Sequence, residues 1–336
     1  MVRRGIKALL ALAVLVGLVL MYRSDRALFR YPDGKVERAH QRMTRHLQAR
    51  DVALLYTADE QPGWDWVSRV PVELNGTRSR VGRFGRALSF DGGRRTTAVL
   101  PLRWKDLPAS FTLALWVKLD AASLDQEILF THKPAPLGFK LDHGHLSFFI
   151  SRGKSLRAAS YAFTNFNRFV HVAAVVDAEA GETRLYEDGQ LRATCPAAGR
   201  EFTAGRLALG RSDWDLVSEP LMGEVDEIVA WRRALAGPEI EALARSSQSA
   251  LVALVGPAWR KYRWARTWQA SVRRAVKLVD LFNPAFHHTQ ARRSGLPEIN
   301  LILSKKDERY FARAHRRSIK DGHVSAQTAE ARMIDV

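Results

Sequence analysis

Between residues 52 and 246 the sequence is cut into short β-rich runs, each closed by a turn signal. "ALLYTA" comes first, and "RALSF" leads into Asp91-Gly92-Gly93. "FTLALWVKL" is a long alternating run followed by "EILFTH", and "HLSFFIS" comes after Asp142-His143-Gly144. "RFVHVAAVVD", "RLALG" and "GEVDEIVAW" complete the series. In "ETRLYEDGQLRAT" the pair Asp188-Gly189 between alternating residues predicts a hairpin with a type I′ turn. One helix is predicted after the strands, in "AGPEIEALARS", with Pro238 in its first turn and acids near its start. Many short strands at this spacing bury a core only by stacking two antiparallel sheets, so the fold class is all-β, a two-sheet sandwich or jelly roll.

Charge narrows the partners. The chain has 336 residues and a net charge of +17, but residues 51–246 hold 24 Lys/Arg against 25 Asp/Glu. The excess lies in the flanks: 11 against 3 in residues 1–50, and 17 against 7 in residues 247–336. A nucleic-acid-binding domain carries its own basic face. Basic flanks around a neutral domain instead fit a membrane surface or an acidic partner. Cys195 is the only cysteine, so no intrachain disulfide and no cysteine metal cluster can form.

The N-terminus sets Arg3, Arg4 and Lys7 before 15 uninterrupted apolar residues, Ala8 to Tyr22. With Lys7 snorkelling the span approaches the roughly 17–25 residues a crossing helix needs. No small-residue cleavage site follows Leu20, so residues 1–24 read as an uncleaved signal anchor. The basic residues beyond the run argue for a cytoplasmic body. A short positive N-terminus argues for an extracytoplasmic one, and the second orientation is preferred. Residues 25–51 read as a polar helical spacer between anchor and domain.

Four stretches then carry a family likeness: "VGRFGRALSFDGG", "FTLALWVKLD", "FVHVAAVVDAEAGETRLYEDGQLRAT" and "LMGEVDEIVAWRRALAGPEIEAL". In this order they resemble the successive signatures of a laminin-G-like domain, the concanavalin A-like jelly roll, over residues 52–246. The resemblance implies the fold. It leaves the ligand open, since such domains bind sugars, proteins or nothing known.

"GEVDEIVAW" raises the question of catalysis. Plain strand alternation puts Glu224, Asp226 and Ile228 on one face and Val225, Glu227 and Val229 on the other. A glycosidase family of this fold carries Glu-x-Asp-x-Glu, or the same set with one extra residue, and its chemistry needs two carboxylates about 5 Å apart. Here the third acidic position is Ile228 or Val229, so the set is incomplete and a glycoside hydrolase is the weakest reading. Gly223, Val225, Asp226 and Glu227 match the laminin-G-like pattern, where such residues act as turn partners, strand-end hydrogen-bond acceptors or calcium ligands. What the resemblance implies for calcium falls on Asp226 first and Asp91 second, with the hard oxygen ligands that ion takes.

His171, on an apolar strand, reads as a satisfied core histidine. Asp142, His143 and His145 are a possible transition-metal set, set against an ordinary hairpin turn. Asn75-Gly76-Thr77 matches a glycosylation acceptor and also a turn. Trp116 and Trp231 lie in strands. Trp64, Trp66, Trp104 and Trp214 lie in loops, flanked in part by acids such as Asp213 and Asp215. Exposed aromatics there can stack on sugar rings, so these six residues are the candidate ligand site.

"PAWRKYRWARTWQASVRRAVKLVDLF" repeats apolar residues every three or four positions, a basic amphipathic helix within residues 247–284. It suits packing on a domain or an anionic membrane surface. Within residues 285–336, "LPEINLILSKKDERYFARAHRRSIKDGHV" resembles the opening of a CotH-type kinase-like domain, in which a strand precedes a basic helix. The sequence stops before any nucleotide-binding position, so no kinase activity is implied. The whole reads as a membrane-anchored, extracytoplasmic, non-catalytic binding module for carbohydrate or a protein. The alternative is a subunit that docks a CotH-like partner.

Overall fold

The computed structural model describes residues 27–329, apart from 60–62, 94, 132–136, 153–154, 198–204, 211–219, 283–298, 304–309 and 321–322. The anchor expected within residues 1–24 lies outside these. Among the described residues no helix is long and apolar enough to cross a membrane. The chain divides into two compact units, Glu37–Trp264 and a second formed by Met1–Val36 with Ala265–Val336.

The first unit is a sandwich of two antiparallel sheets. Its strands are β1 Val52–Tyr56, β2 Glu73–Asn75, β3 Arg78–Val81, β4 Arg86–Asp91, β5 Thr97–Arg103, β6 Phe111–Leu119, β7 Gln126–Thr131 and β8 Leu137–Asp142. They continue as β9 His145–Arg152, β10 Ser155–Ala162, β11 Val170–Asp177, β12 Glu182–Glu187, β13 Gln190–Pro196, β14 Arg206–Leu209 and β15 Met222–Trp231. The larger sheet runs β13-β12-β11-β6-β15-β4-β3, with β1 also paired to β15, and the smaller runs β10-β9-β8-β7-β14-β5-β2. The all-β sandwich expected from the turn-punctuated runs is what forms. Alternation fills the core: Leu113, Leu115, Val117 and Leu119 of β6 face inward with Val170, Val172, Ala174 and Val176 of β11. The predicted hairpin is also present. Glu187 pairs with Gln190, and Asp188 and Gly189 have φ of 48° and 83°, the two positive values a type I′ turn requires.

The described helices are α1 Ala27–Gln48, α2 Gly237–Arg245, α3 Ala250–Val255 and α4 Pro257–Phe282. α2 begins as predicted, with Glu239 reaching back to accept the Ala236 N–H at 3.0 Å while Arg233 grips its carboxylate. α1 corrects the expectation of a solvated spacer. Val36, Ala39, His40, Met43 and Leu47 are all buried, at the three- and four-residue spacing of one helix face.

In the second unit Ile299–Leu303 (β16), Tyr310–Lys320 (β17) and His323–Ala329 (β18) form a three-stranded antiparallel sheet. The strand over 299–303 agrees with expectation, but the basic helix after it does not exist. Tyr310 to Ala314 instead pair with the apolar run Ile299 to Leu303, and Lys320 pairs with His323. A helix there is implied by the CotH-type resemblance, and cross-strand pairing takes its place in the structure.

Gly223, in β15, has a φ of 152°, and a Cβ on it would lie 2.1 Å from the Lys118 carbonyl oxygen of the neighbouring β6. Gly223→Ala is expected to destabilise the sandwich by about 1–3 kcal/mol, the range for a strained backbone position. A shift of the urea midpoint at unchanged slope checks this.

Candidate functional site

β15 lies at the centre of the larger sheet, with β6 along one edge. Its other edge is shared. Met222 to Val225 pair with β4, and Ile228 to Trp231 pair with β1. At the changeover one extra residue enters the strand: Asp226 pairs with Trp116 and Val229 with Ala114, leaving two residues opposite one. Glu227 carries the bulge at φ 50°, a left-handed conformation uncommon for a side chain of its size. Ile228 and Ala230 thereby return to the core with Val225. This corrects the simple alternation. Asp226 does not share a face with Ile228; the bulge turns Asp226 and Glu227 together to the outer face, where they are 1% and 2% exposed.

Each buried acid has a structural partner. Asp226 accepts the Phe84 N–H on Oδ2 at 3.0 Å and the Glu227 N–H on Oδ1 at 2.9 Å, closing the β3–β4 turn. Burial raises its pKa to about 7, and nearby Asp59 adds to the rise against the opposing backbone hydrogen bonds. Glu227 accepts the Ala250 N–H on Oε2 at 2.6 Å, which ties the sheet to the start of α3. Burial and then the Asp226 carboxyl push its pKa well above the carboxylate range. Glu224 forms a cross-strand ion pair with Lys118 at 3.0 Å.

A cleft lies on this outer face beneath the 243–253 segment. It is small, about 20 Å3 of space open to a water-sized guest, or room for about one water molecule, and is lined by Phe84, Trp116, His171, Glu227 and Trp231 among others. Trp116 stands edge-on to Phe84 at 5.8 Å and to His171 at 5.3 Å, with the Arg83 guanidinium 4.8 Å over its ring. His171 is buried as expected but not satisfied, since its Nδ1 has no hydrogen-bond partner. Burial lowers its pKa to about 4, so the neutral imidazole is the form present near neutral pH.

Of the predicted ligand residues, Trp64, Trp66 and Trp104 fall among the described residues. Trp66 is 1% exposed and offers no face to a sugar. It stacks on His40 of α1 at 5.9 Å, stands edge-on to Trp259 and Tyr262 of α4 at 5.7 and 5.3 Å, and donates its indole N–H to Thr57 at 3.2 Å. Half-buried Trp64 stands edge-on to it at 5.9 Å. Between them Asp65, which sequence reasoning passed over, is buried and accepts the N–H groups of Leu55, Val67 and Ser68. Trp104 opens a 3-10 turn, Trp104–Asp106. Asp213, Trp214 and Asp215 lie outside the described residues.

The calcium candidates, Asp226 first and Asp91 second, lie in separate surroundings. Asp226 is ringed by N–H donors, which suit an anion or a neutral acid and not a cation. Asp91 is paired with Met222, four strand positions or about 13 Å from Asp226. Its Oδ1 holds a turn by accepting from Gly93 N at 2.9 Å and Thr96 Oγ1 at 2.6 Å. Among the described residues Asp125, Asp142 and His143 bring three potential ligand atoms within 4.8 Å. Lys140 stands 3.4 Å from Asp142 in the same hairpin, and Asp125 already accepts the His143 N–H.

A family model described as the concanavalin A-like lectin/glucanases superfamily matches residues 91–241. Among solved structures the chain is similar to the binding domain of Paraclostridial Mosquitocidal Protein 1, at 12% identity and a TM-score of 0.50, over 58% of this chain and 52% of that one. It is also similar to the botulinum neurotoxin type G receptor binding domain, at 10% identity and a TM-score of 0.49, over 58% and 51%. Domain 4 of AbnA, a GH43 extracellular arabinanase from Geobacillus stearothermophilus in complex with arabinotriose, matches at 20% identity and a TM-score of 0.44, over 58% and 98%. The chain spans about half the length of the toxin binding domains it matches. No curated protein matches the chain. The matched stretch lies within the two-sheet antiparallel sandwich, which fits an all-β jelly roll, and it is there that the chain is similar to the concanavalin A-like superfamily.

The buried acid has a pH signature. A carboxyl whose pKa is raised on folding keeps more protons than the unfolded chain, so its stabilising contribution is complete below about pH 4 and is lost as pH rises to about 7. Asp226→Asn turns an amide N–H2 toward one of the two N–H donors and should cost about 1–3 kcal/mol at pH 5. The cost should shrink by pH 8, where only the native chain has a charge to bury. Urea midpoints of both proteins across this range measure the difference; a constant gap would refute the assignment.

Proposed function

We propose that the protein is a non-catalytic binding module for carbohydrate, held at a membrane by the apolar run of residues 8–22 with the sandwich on the extracytoplasmic side. The observation that carries the non-catalytic half is the fate of the β15 acids. Asp226 and Glu227 are buried and bonded to backbone N–H groups, and Glu224 is paired with Lys118. A hydrolase of this fold needs two carboxylates facing the scissile bond, and these three are committed to holding a turn, a helix and a strand.

Support for the binding half comes from the family description, which names lectins, and from the fold shared with a toxin's binding domain. Loop aromatics remain the natural sugar contacts. With Trp66 buried, the candidates are Trp104, Trp214 and the acids Asp213 and Asp215 beside it, and half-buried Trp64 is secondary.

A second reading has one observation in its favour. The sheet β16–β18 ends in two edge strands, β16 and β18, that a CotH-like partner could extend. Deleting residues 285–336 should then abolish co-purification of that partner.

The test of the carbohydrate reading is thermal unfolding of the full-length protein against a panel of cell-wall and plant polysaccharides. A ligand bound only by the folded state raises the midpoint, and a hundredfold excess over Kd is worth about 2.7 kcal/mol. At least one glycan should raise it, and Trp214→Ala should abolish the rise while leaving the unliganded midpoint within about 0.5 kcal/mol of wild type. A panel with no effect refutes the reading.

A further inference from the structure

The larger sheet ends at β3, which among the described residues pairs with β4 alone. Gly82 donates to the Gly85 carbonyl at 3.0 Å across the β3–β4 turn. Bonded and non-bonded pairs alternate along an antiparallel ladder, so Arg80 and Arg78 turn their backbone groups to β4 while Ser79 and Val81 turn theirs outward. Only the Ser79 carbonyl is met there, by the Arg86 guanidinium at 3.3 Å. The Val81 side chain is 79% exposed, the most exposed large apolar residue among those described. An open edge of this kind is a template for another strand.

The edge is held from behind and charged in front. Asp226 accepts the Phe84 N–H and Asp59 accepts the Arg86 N–H at 2.8 Å, which pins the turn. A Cβ at Gly82 would lie 2.5 Å from Asp226 Oδ2, and one at Gly85, at φ 70°, would collide with Asp59 Oδ1, so these carboxyl groups close on a turn that only glycines allow. A strand already fixed in its paired conformation loses little entropy on gaining a neighbour. Residues 78–95 hold six arginines against the single acid Asp91, although the sandwich as a whole is balanced. Arg83 lies over Trp116, and Arg86 is bonded to Ser79 Oγ at 2.7 Å. Arg78 and Arg80 are exposed and make no hydrogen bond or ion pair among the described residues. They stand opposite Ser89 and Ala87, on the face away from core residues Leu88 and Phe90, so both point to the outer face.

We propose that β3 receives an extended acidic segment of a protein partner, added antiparallel as a further strand of the larger sheet. The inference is independent of the carbohydrate reading. The partner's backbone pairs with the outward groups of Ser79 and Val81. Its residues opposite Arg78 and Arg80 are carboxylates, which meet the guanidinium groups on the outer face. The residues between them point to the other face, where an aliphatic side chain covers Val81. The partner's pattern is therefore an alternation of acidic and aliphatic residues. A second copy of this chain is refused, because antiparallel pairing of two β3 strands in register sets arginine opposite arginine. A polyanionic sugar or nucleic acid can meet the arginines but has no row of alternating N–H and C=O groups to match the edge.

The test is fluorescence anisotropy of the full-length protein with a labelled peptide that alternates valine and glutamate, and with its valine–lysine counterpart. The glutamate peptide should bind and the lysine peptide should not. Arg78→Glu combined with Arg80→Glu should weaken the glutamate peptide by at least about tenfold and admit the lysine peptide, a swap that loss of folding cannot produce. A second readout needs no variant of the protein. Methylating the valine nitrogens, which face Ser79 and Val81, should abolish binding, and methylating the glutamate nitrogens, which face away, should leave it. No binding of the glutamate peptide, or equal loss from either methylation, overturns the strand addition. Heparin that binds more tightly than the peptide and displaces it makes the patch a polyanion surface. Concentration-dependent dimerisation lost in the double variant makes it a self-association edge. Either result also overturns the proposal.

Discussion

A single left-handed residue in β15 organises the outer face of the larger sheet. Glu227, at φ 50°, lets the strand change partner from β4 to β1 without breaking its pairing with β6. The extra residue re-aims two carboxylates away from the core, Glu227 toward the α3 segment and Asp226 toward the β3–β4 turn. Glu227 then holds the start of α3, and Asp226 holds the β3–β4 turn. Removing their charge from water is costly, and both respond by favouring the protonated form. A neutral buried acid can donate as well as accept, which an ionised one cannot. The same constraint therefore supplies the latch on α3 and the unpaired oxygen in the cleft.

A second anchor sits in the 63–71 segment. Asp65 folds it by capturing three backbone N–H groups, and that fold delivers Trp66 into a cluster with His40, Trp259 and Tyr262. α1 and the first turns of α4 pack on one indole, so the compact unit begins at Glu37 and ends at Trp264 instead of stopping at the sandwich. His40 has its pKa lowered to about 4, chiefly by burial. It joins His171 as a buried neutral imidazole, and both would have to charge in acid. Stability contributed by their neutral forms is present above the unfolded histidine pKa of about 6.5 and is lost as pH falls to about 4, the opposite sense to Asp226.

What the sequence made legible was local. Alternating runs, the Asp188-Gly189 turn and the Pro238–Glu239 helix start each depend on neighbours in the chain, and each is present in the structure. The bulge was not legible, because Glu227 carries no turn residue's signature and its φ is imposed by three different strands. Trp66 misled for a related reason. An aromatic between Gly63 and acids resembles an exposed platform, and only the helices reveal that it is covered. α1 did carry a signal in the spacing of Val36, Ala39, His40, Met43 and Leu47. Its many arginines obscured that stripe, as the basic residues of β17 obscured its alternation.

The acids of "GEVDE" show why a motif cannot be read apart from its register. On a regular strand Glu224 and Asp226 would stand two positions apart on one face, and a missing third acid would be the whole argument against catalysis. The bulge supplies a stronger one. It turns Asp226 and Glu227 together to the outer face of the sheet and then uses their oxygens on the N–H groups of Phe84 and Ala250, leaving both carboxyls buried. An acid hidden from solvent and tied to backbone N–H groups can neither reach a glycosidic oxygen nor attack the sugar, whatever its pKa.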